Sequence, residues 1–160
     1  NSGNNEWYTP KEYIAAANEV MGSIDTDPAS SEEANKTVEA QEFFTKEEDG
    51  LKKQWSGNVW MNPPYAKQLI PEFIDAAVSK YKSKEIKQVL ILVNNATETS
   101  WFQDLLSVCS AVCFIKGRVR FLDPKGNPGA PLQGQVVVYL GDNVEGFNKS
   151  FNSFGNILWT

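Results

Sequence analysis

Four short apolar runs constrain this chain more than any other feature. They are Val59-Trp60-Met61, the run inside Gln88 to Val93, Ala111 to Ile115, and the run inside Gln135 to Leu140. Each reads as a buried strand, the first as Asn58 to Met61. Segments of helical period lie between them: Pro71 to Tyr81 puts Phe73, Ile74, Ala77, Val78 and Tyr81 on one face, and Ser100 to Ser107 reads as a further helix. Strands alternating with helices predict an α/β fold with a mostly parallel sheet and helices on both faces.

Near the start, Thr9-Pro10-Lys11-Glu12 reads as a helix opening, with Thr9 as cap, Pro10 at the first position and Glu12 closing a capping box. That helix runs to about Met21. A short strand, SIDT (23–26), leads into Asp27-Pro28-Ala29-Ser30, and a short helix can open at Ser31. A second strand is expected within Thr37 to Phe44, followed by an acidic helical turn. Beyond Ile115 the pattern changes. Arg118 to Leu122 and Gln135 to Leu140, joined by the turn-rich DPKGNPGAPLQG, predict a terminal antiparallel hairpin. Gly146 to Phe154 reads as a last helix and Ile157 to Trp159 as a last strand. With no repeat, low-complexity tract or linker, residues 1–160 read as a single domain.

Composition narrows the chemistry. The chain has no histidine, which removes zinc sites with a His ligand and both Ser-His and Cys-His nucleophile pairs. Its cysteines, Cys109 and Cys113, lie in CSAVC within an apolar run; a redox pair and two core thiols are both open, and the core reading is preferred. No metal site is expected. No run nears the roughly 20 apolar residues of a membrane helix, and Asn1 to Glu6 is too polar for a signal peptide, so a soluble, intracellular protein is expected. Charge is uneven under a net −5: residues 1–50 carry 12 acids and 3 bases, residues 51–130 carry 6 acids and 11 bases. Arg118 and Arg120 in GRVRF project to one face of a strand beside Lys116. They make either a phosphate-facing patch or a charged strand edge.

The chemistry concentrates in Asn62-Pro63-Pro64-Tyr65, directly after an apolar strand. Two prolines remove two N–H donors and stiffen the turn, so the Asn62 side-chain oxygen and the Pro63 carbonyl can converge on one NH2 group. Tyr65 offers a flat face for a planar partner.

This motif resembles that of S-adenosylmethionine-dependent amino-methyltransferases. With EWYTP (6–10), IDTDPASSEEAN (24–35), DGL (49–51), W-x-G-x-V-W-x-NPPY (55–65) and GRVRF (117–121) in that order, the chain is similar to small phage-type DNA N6-adenine methyltransferases. The resemblance implies a Rossmann-like methyltransferase fold and transfer of a methyl group from S-adenosylmethionine to the N6 amine of a flipped adenine in DNA. The catalytic residues would be Asn62, Pro63, Pro64 and Tyr65. The cofactor would be held by Trp7, Thr9, Pro10, Asp25, Asp27, Pro28, Ala29 and Asp49, with Glu42 a weaker candidate beside Asp49. The usual Gly-x-Gly of the cofactor loop is absent, and Ala29-Ser30 stand in its place. For the acids, turn or helix-start roles remain open. DNA would be met by Tyr65, Lys116, Arg118, Arg120 and Phe121, with Lys125 nearby, although Phe121 also reads as a core residue. Recognition would fall to the loops Ala66 to Ile70 and Asp123 to Gly134, or to a second subunit, since no separate target-recognition domain is legible. The resemblance also implies the cytoplasm of a bacterial host and a phage or prophage origin. An RNA or protein-glutamine acceptor, and a catalytically silent nucleic-acid-binding module, are the competing readings.

Overall fold

The computed structural model describes residues 7–129 and 133–159. Asn1 to Glu6 and part of the 123–134 loop lie outside them. In chain order the elements are α1 (Lys11–Met21), β1 (Thr26–Asp27), α2 (Glu32–Val38), β2 (Glu42–Phe43), a 3-10 turn (Gly50–Lys52), β3 (Gly57–Met61) and α3 (Leu69–Lys82). They continue with β4 (Ile86–Asn94), α4 (Ser100–Val108), β5 (Ala111–Ile115), β6 (Gln135–Leu140), α5 (Val144–Phe151) and β7 (Gly155–Trp159). The strands form one sheet in the order β2-β1-β3-β4-β6-β5-β7. The first four are parallel, β6 runs antiparallel between β4 and β5, and β7 pairs antiparallel with β5.

The apolar runs are continuous because both faces of the sheet are covered. On β4, Leu90 and Leu92 join Trp60, Val137 and Tyr139 under α1 and α5, against Ile14, Ala17, Val20, Phe147 and Phe151. Val89, Ile91 and Val93 point the other way, to Phe73, Ile74, Ala77, Phe102 and Leu105 of α3 and α4. This is the α/β architecture with helices on both faces that the alternation predicts. No helix among the described residues is long and apolar enough to cross a membrane. Cys109 and Cys113 are buried thiols not joined in a disulfide, and burial pushes the Cys113 pKa up to about 12.

The structure differs from the sequence reading at three places. Thr9 does not cap α1: Pro10 occupies the cap position with no side-chain bond, and the Thr9 hydroxyl is used elsewhere. The expected strand over Thr37 to Phe44 shrinks to β2. Ser31 caps α2, accepting from the Ala34 amide at 3.0 Å, so Thr37 and Val38 stay helical until Glu39 (φ 54) ends the helix. Arg118 to Leu122 is not the partner of β6. Both sides of β6 are taken by β4 and β5, leaving no free edge, and Gly117 (φ +72) turns the chain away after β5. The antiparallel hairpin exists with β5 as its first arm, and Leu122 makes only isolated bridges to Tyr8 and Pro128.

A polar network locks the amino ends of β3 and β4 to α1. The Tyr139 hydroxyl donates to Gln88 Oε1 (2.6 Å), Gln88 Nε2 to Asn58 Oδ1 (2.9 Å), and Asn58 Nδ2 to the Met21 carbonyl (3.0 Å). The Asn143 amide donates to the Tyr139 oxygen (3.0 Å). Tyr139→Phe strands the Gln88 oxygen and the Asn143 amide without partners. The expected loss of unfolding free energy is roughly 1–3 kcal/mol in urea melts, the cost of an unmet buried polar group. An unchanged midpoint would mean the network adds nothing.

Candidate active site

From β1 the chain moves outward to β2, then returns to place β3 on the other side of β1. In open α/β sheets, such a switch point leaves a crevice at the carboxyl ends of the strands, where ligands bind. Here β1 delivers Asp27-Pro28-Ala29-Ser30 to that rim and β3 delivers Asn62-Pro63-Pro64-Tyr65.

On the β1 side, Asp27 is 3% exposed. Its Oδ1 accepts from the Ala29 amide at 3.2 Å, and the Ser30 side chain also bonds to it. Burial outweighs these bonds and holds its pKa up at about 7. The 3-10 turn packs on this loop so closely that a Cβ on Gly50 would land on the Pro28 carbonyl. Asp49 caps the turn, accepting from the Leu51 amide at 3.1 Å, and the Trp55 indole donates to the Gly50 carbonyl at 2.9 Å. The sequence-distant DGL and DPAS segments are therefore one unit.

On the β3 side, polar side chains succeed the apolar runs. The residues alternating with Trp60 on β3, Leu92 on β4 and Val137 on β6 are Asn62, Asn94 and Gln135, which carry on the α1 and α5 face of the sheet to its rim. Asn94 and Gln135 are paired in register. The Tyr65 hydroxyl lies 3.4 Å from Asn62 Oδ1 and 3.3 Å from Gln135 Oε1, and Asn62 Nδ2 lies 3.4 Å from Thr9 Oγ1. Thr9 is buried, tying the segment before α1 to the NPPY turn. Tyr65 as a residue is 46% exposed, yet its hydroxyl points inward, and loss of hydration raises its pKa above that of an ordinary phenol. Asn94 Oδ1 is buried with no partner among the described residues.

An arm closes over this rim. After β5, Lys116, Arg118 and Arg120 are exposed while Val119 is 2% exposed and anchors them, so the in–out alternation survives without a strand. Among the described residues, none of the three has a carboxylate within ion-pairing distance. The arm exchanges backbone bonds between Leu122 and Tyr8 (2.8 and 2.9 Å), and the Trp7 ring lies where a Cβ on Gly129 would be. Lys125 is exposed at the turn beyond, where Asp123 Oδ1 accepts from the amides of Lys125 (2.9 Å) and Asn127 (2.8 Å). Phe121 meets Tyr65 edge to face, with centroids 6.4 Å apart and planes at 76°, so the rings do not form parallel walls.

The fold thus brings Thr9, Asn62, Tyr65 and Phe121 together, and gathers Asp27, Pro28, Ala29 and Asp49 on the β1 side. It does not bring Asp25 there. The Asp25 carboxylate accepts from the Asn58 amide at 2.7 Å, beside Gly57 (φ +62), at the opposite end of β3. Asn58 and Asn62 are four residues apart, about 13 Å along a strand. Glu42 is exposed on β2. Sequence reasoning missed Asn94 and Gln135; the available signal was an amide placed where each apolar run ends. Among the described residues no group of three or more Asp, Glu or Cys is placed to hold a metal ion.

An acceptor-rich rim, an unpartnered buried amide oxygen and a buried acid suit a ligand bearing N–H groups and positive charge. No curated protein matches the chain significantly. Among solved structures it is similar to a human methyltransferase 10 domain containing protein, at 12% identity over 82% of each chain and a TM-score of 0.45, too distant to carry any residue's role across. The family model described as DNA N-6-adenine-methyltransferase (Dam) matches residues 1–142. The chain, with its NPPY turn at the switch point, belongs to that DNA N6-adenine methyltransferase family.

Proposed function

We propose that this DNA adenine methyltransferase takes its methyl group from S-adenosylmethionine and places it on the N6 amine of an adenine drawn out of the DNA stack. The carrying observation is the acceptor set at the ends of β3, β4 and β6, long-bonded or unpartnered in a fold that satisfies its other buried amides with short bonds.

The residues present fit the cofactor. When bound, S-adenosylmethionine supplies a methyl group activated on a sulfonium. Asp27, with Pro28, Ala29 and Asp49 around it, would face its hydroxyls and positive charge, and Trp7, Thr9 and Pro10 would close the side next to Asn62. Asn62 Oδ1 and the Pro63 carbonyl then hold the two hydrogens of the amine. An adenine amine is a poor nucleophile because its lone pair is delocalised into the ring; two fixed acceptors favour the tetrahedral nitrogen that can attack. The nitrogen–methyl bond would form as the methyl–sulfur bond breaks, so the donor would leave as a neutral thioether and the surplus N6 proton would pass to solvent. Pro64 stiffens the turn, and Tyr65 stacks on the extruded base. Phe121 stands edge-on to Tyr65, so it must turn before it can serve as a second wall. Lys116, Arg118, Arg120 and Lys125 are free to meet phosphates. Base-sequence preference would reside in the loops Asp123 to Gly134 and Ala66 to Ile70.

Incubation with S-adenosylmethionine and unmethylated DNA, followed by nucleoside mass spectrometry, should yield N6-methyladenine. Asn62→Ala should bind the cofactor normally yet lose transfer by at least about 100-fold, the scale of a lost transition-state hydrogen-bonding group. Transfer at the parental rate by Asn62→Ala would sink the assignment, and product found only on RNA or protein would redirect the substrate.

Asp27 gives a second test. Its pKa lies near 7 in the folded protein against an ordinary 3.8, so the stability it contributes is present below the lower value and is lost as pH rises through the higher. A cationic ligand favours the carboxylate. Binding of S-adenosylmethionine at about pH 7 should therefore release part of a proton, giving apparent binding heats that differ between buffers of different ionisation enthalpy. In Asp27→Asn that buffer dependence should vanish and stability should fall less between about pH 4 and 7. A buffer dependence that survives the substitution would place the proton on another group.

A further inference from the structure

The Tyr65 hydroxyl has one proton and two amide oxygens in reach, at 3.4 Å (Asn62) and 3.3 Å (Gln135). It can donate to only one at a time. Under the proposed reaction, the Asn62 oxygen is the one the adenine amine needs. The free enzyme therefore holds a competitor for its own substrate within hydrogen-bonding distance of the key acceptor. Asn62 cannot escape by rotation without giving up its Nδ2 contact to Thr9.

We propose that Gln135 is a positioning residue: its side-chain oxygen takes the Tyr65 hydroxyl and so frees the Asn62 oxygen for the amine. Gln135 suits this task by placement. It is 5% exposed, opens β6, and is held in register against Asn94 of β4 by the antiparallel pairing. The Gly134 carbonyl just before it accepts from the Asn95 amide at 3.0 Å, which fixes the entry to the strand. A phenol is protonated at neutral pH, so the Tyr65 hydroxyl is a donor in search of an acceptor. Without an acceptor on β6, the remaining protein oxygen in reach is that of Asn62. Gln135 would thus act on the reaction without touching the adenine amine or the methyl donor.

This rests on Asn62 being the amine acceptor, and a double-mutant cycle separates the two ideas. Steady-state methylation of DNA would be measured for the parent, Gln135→Leu, Tyr65→Phe and the double variant, with thermal melts to confirm folding and calorimetry for S-adenosylmethionine. Gln135→Leu should lower kcat/KM for DNA roughly five- to tenfold, the scale of one neutral hydrogen bond, with cofactor affinity unchanged. In the Tyr65→Phe background, which keeps the stacking ring and removes the competing proton, the same substitution should cost less than about twofold. Gln135→Glu keeps an acceptor in either protonation state and should stay near the parent. Equal losses in both backgrounds, no loss with the tyrosine present, or a Gln135→Glu as impaired as Gln135→Leu would each overturn the proposal. If Gln135→Leu folds poorly, Gln135→Met carries the same cycle. Transfer surviving Asn62→Ala would overturn the underlying reading, whereas a dead Asn62→Ala beside a harmless Gln135→Leu would overturn the inference about Gln135 alone.

Discussion

A sheet covered on both faces has nowhere to put polar side chains except at the ends of its strands, and this constraint organises the molecule. Three neighbouring strands on the face under α1 and α5 carry apolar side chains in their middles and polar ones at both ends. At one end stand Asn58, Gln88 and Tyr139, bonded at 2.6 to 3.0 Å. At the other stand Asn62, Asn94 and Gln135, with contacts of 3.3 to 3.4 Å and one oxygen unpartnered among the described residues. Identical chemistry is thus used in two ways. Where bonds are short and complete, an amide network costs little to bury and fixes the helix against the sheet. Where they are long, the same groups stay available to a visitor. An unmet buried acceptor costs free energy, and a binding site is the place where that cost has a return.

The same rim carries charges of both signs. Asp27 and Asp49 belong to loops that reach the rim beside β1, where a cationic ligand would find them. The bases at 116, 118 and 120 leave β5 at that rim and follow the arm toward Tyr65. Both sets converge because β3 lies between them in the sheet. For the proposed reaction this places the donor's charge on one side of the NPPY turn and the nucleic-acid phosphates on the other. Opposite partners then approach a single turn without either crossing a field of its own sign.

Much of the architecture was legible in the sequence because it depends on local pattern. The buried runs of β3, β4, β5 and β6 and the amphipathic α1, α3 and α4 fall where periodicity puts them. What failed depended on competition between segments distant in sequence. The pattern of Arg118 to Leu122 reads as a strand, and its in–out alternation is real, but whether it joins a sheet depends on a free edge, which no local pattern encodes. Thr9 has the chemistry of a helix cap; its hydroxyl goes instead to Asn62, 53 positions away. Asp25 looked equivalent to Asp27 because they are two residues apart, yet one is spent on the Asn58 amide and the other lies at the rim. The NPPY turn announced itself through prolines that have few other uses after a buried strand. Gln135 and Asn94 did not, since a single amide at a strand end carries no signal until the register pairs it with another.

The absence of histidine acquires a physical sense from this geometry. A chain without imidazole has no side chain whose ordinary pKa lies near neutrality, so proton transfer by a free-standing general base is a poor strategy for it. The rim offers fixed acceptors instead: amide oxygens and backbone carbonyls that neither titrate nor need a partner to activate them. Such groups cannot remove a proton, but they can hold an N–H bond in a chosen direction, which is what an amine with a delocalised lone pair requires before it can attack. Among the described residues the acid pushed toward neutrality is Asp27, which lies on the β1 side of the rim, away from where the nitrogen would react. The proposed chemistry therefore depends on where the acceptors point and on which donors they are already holding. For that proposed chemistry the Tyr65 hydroxyl, poised between Asn62 and Gln135, would matter more than the acidity of any group at the rim.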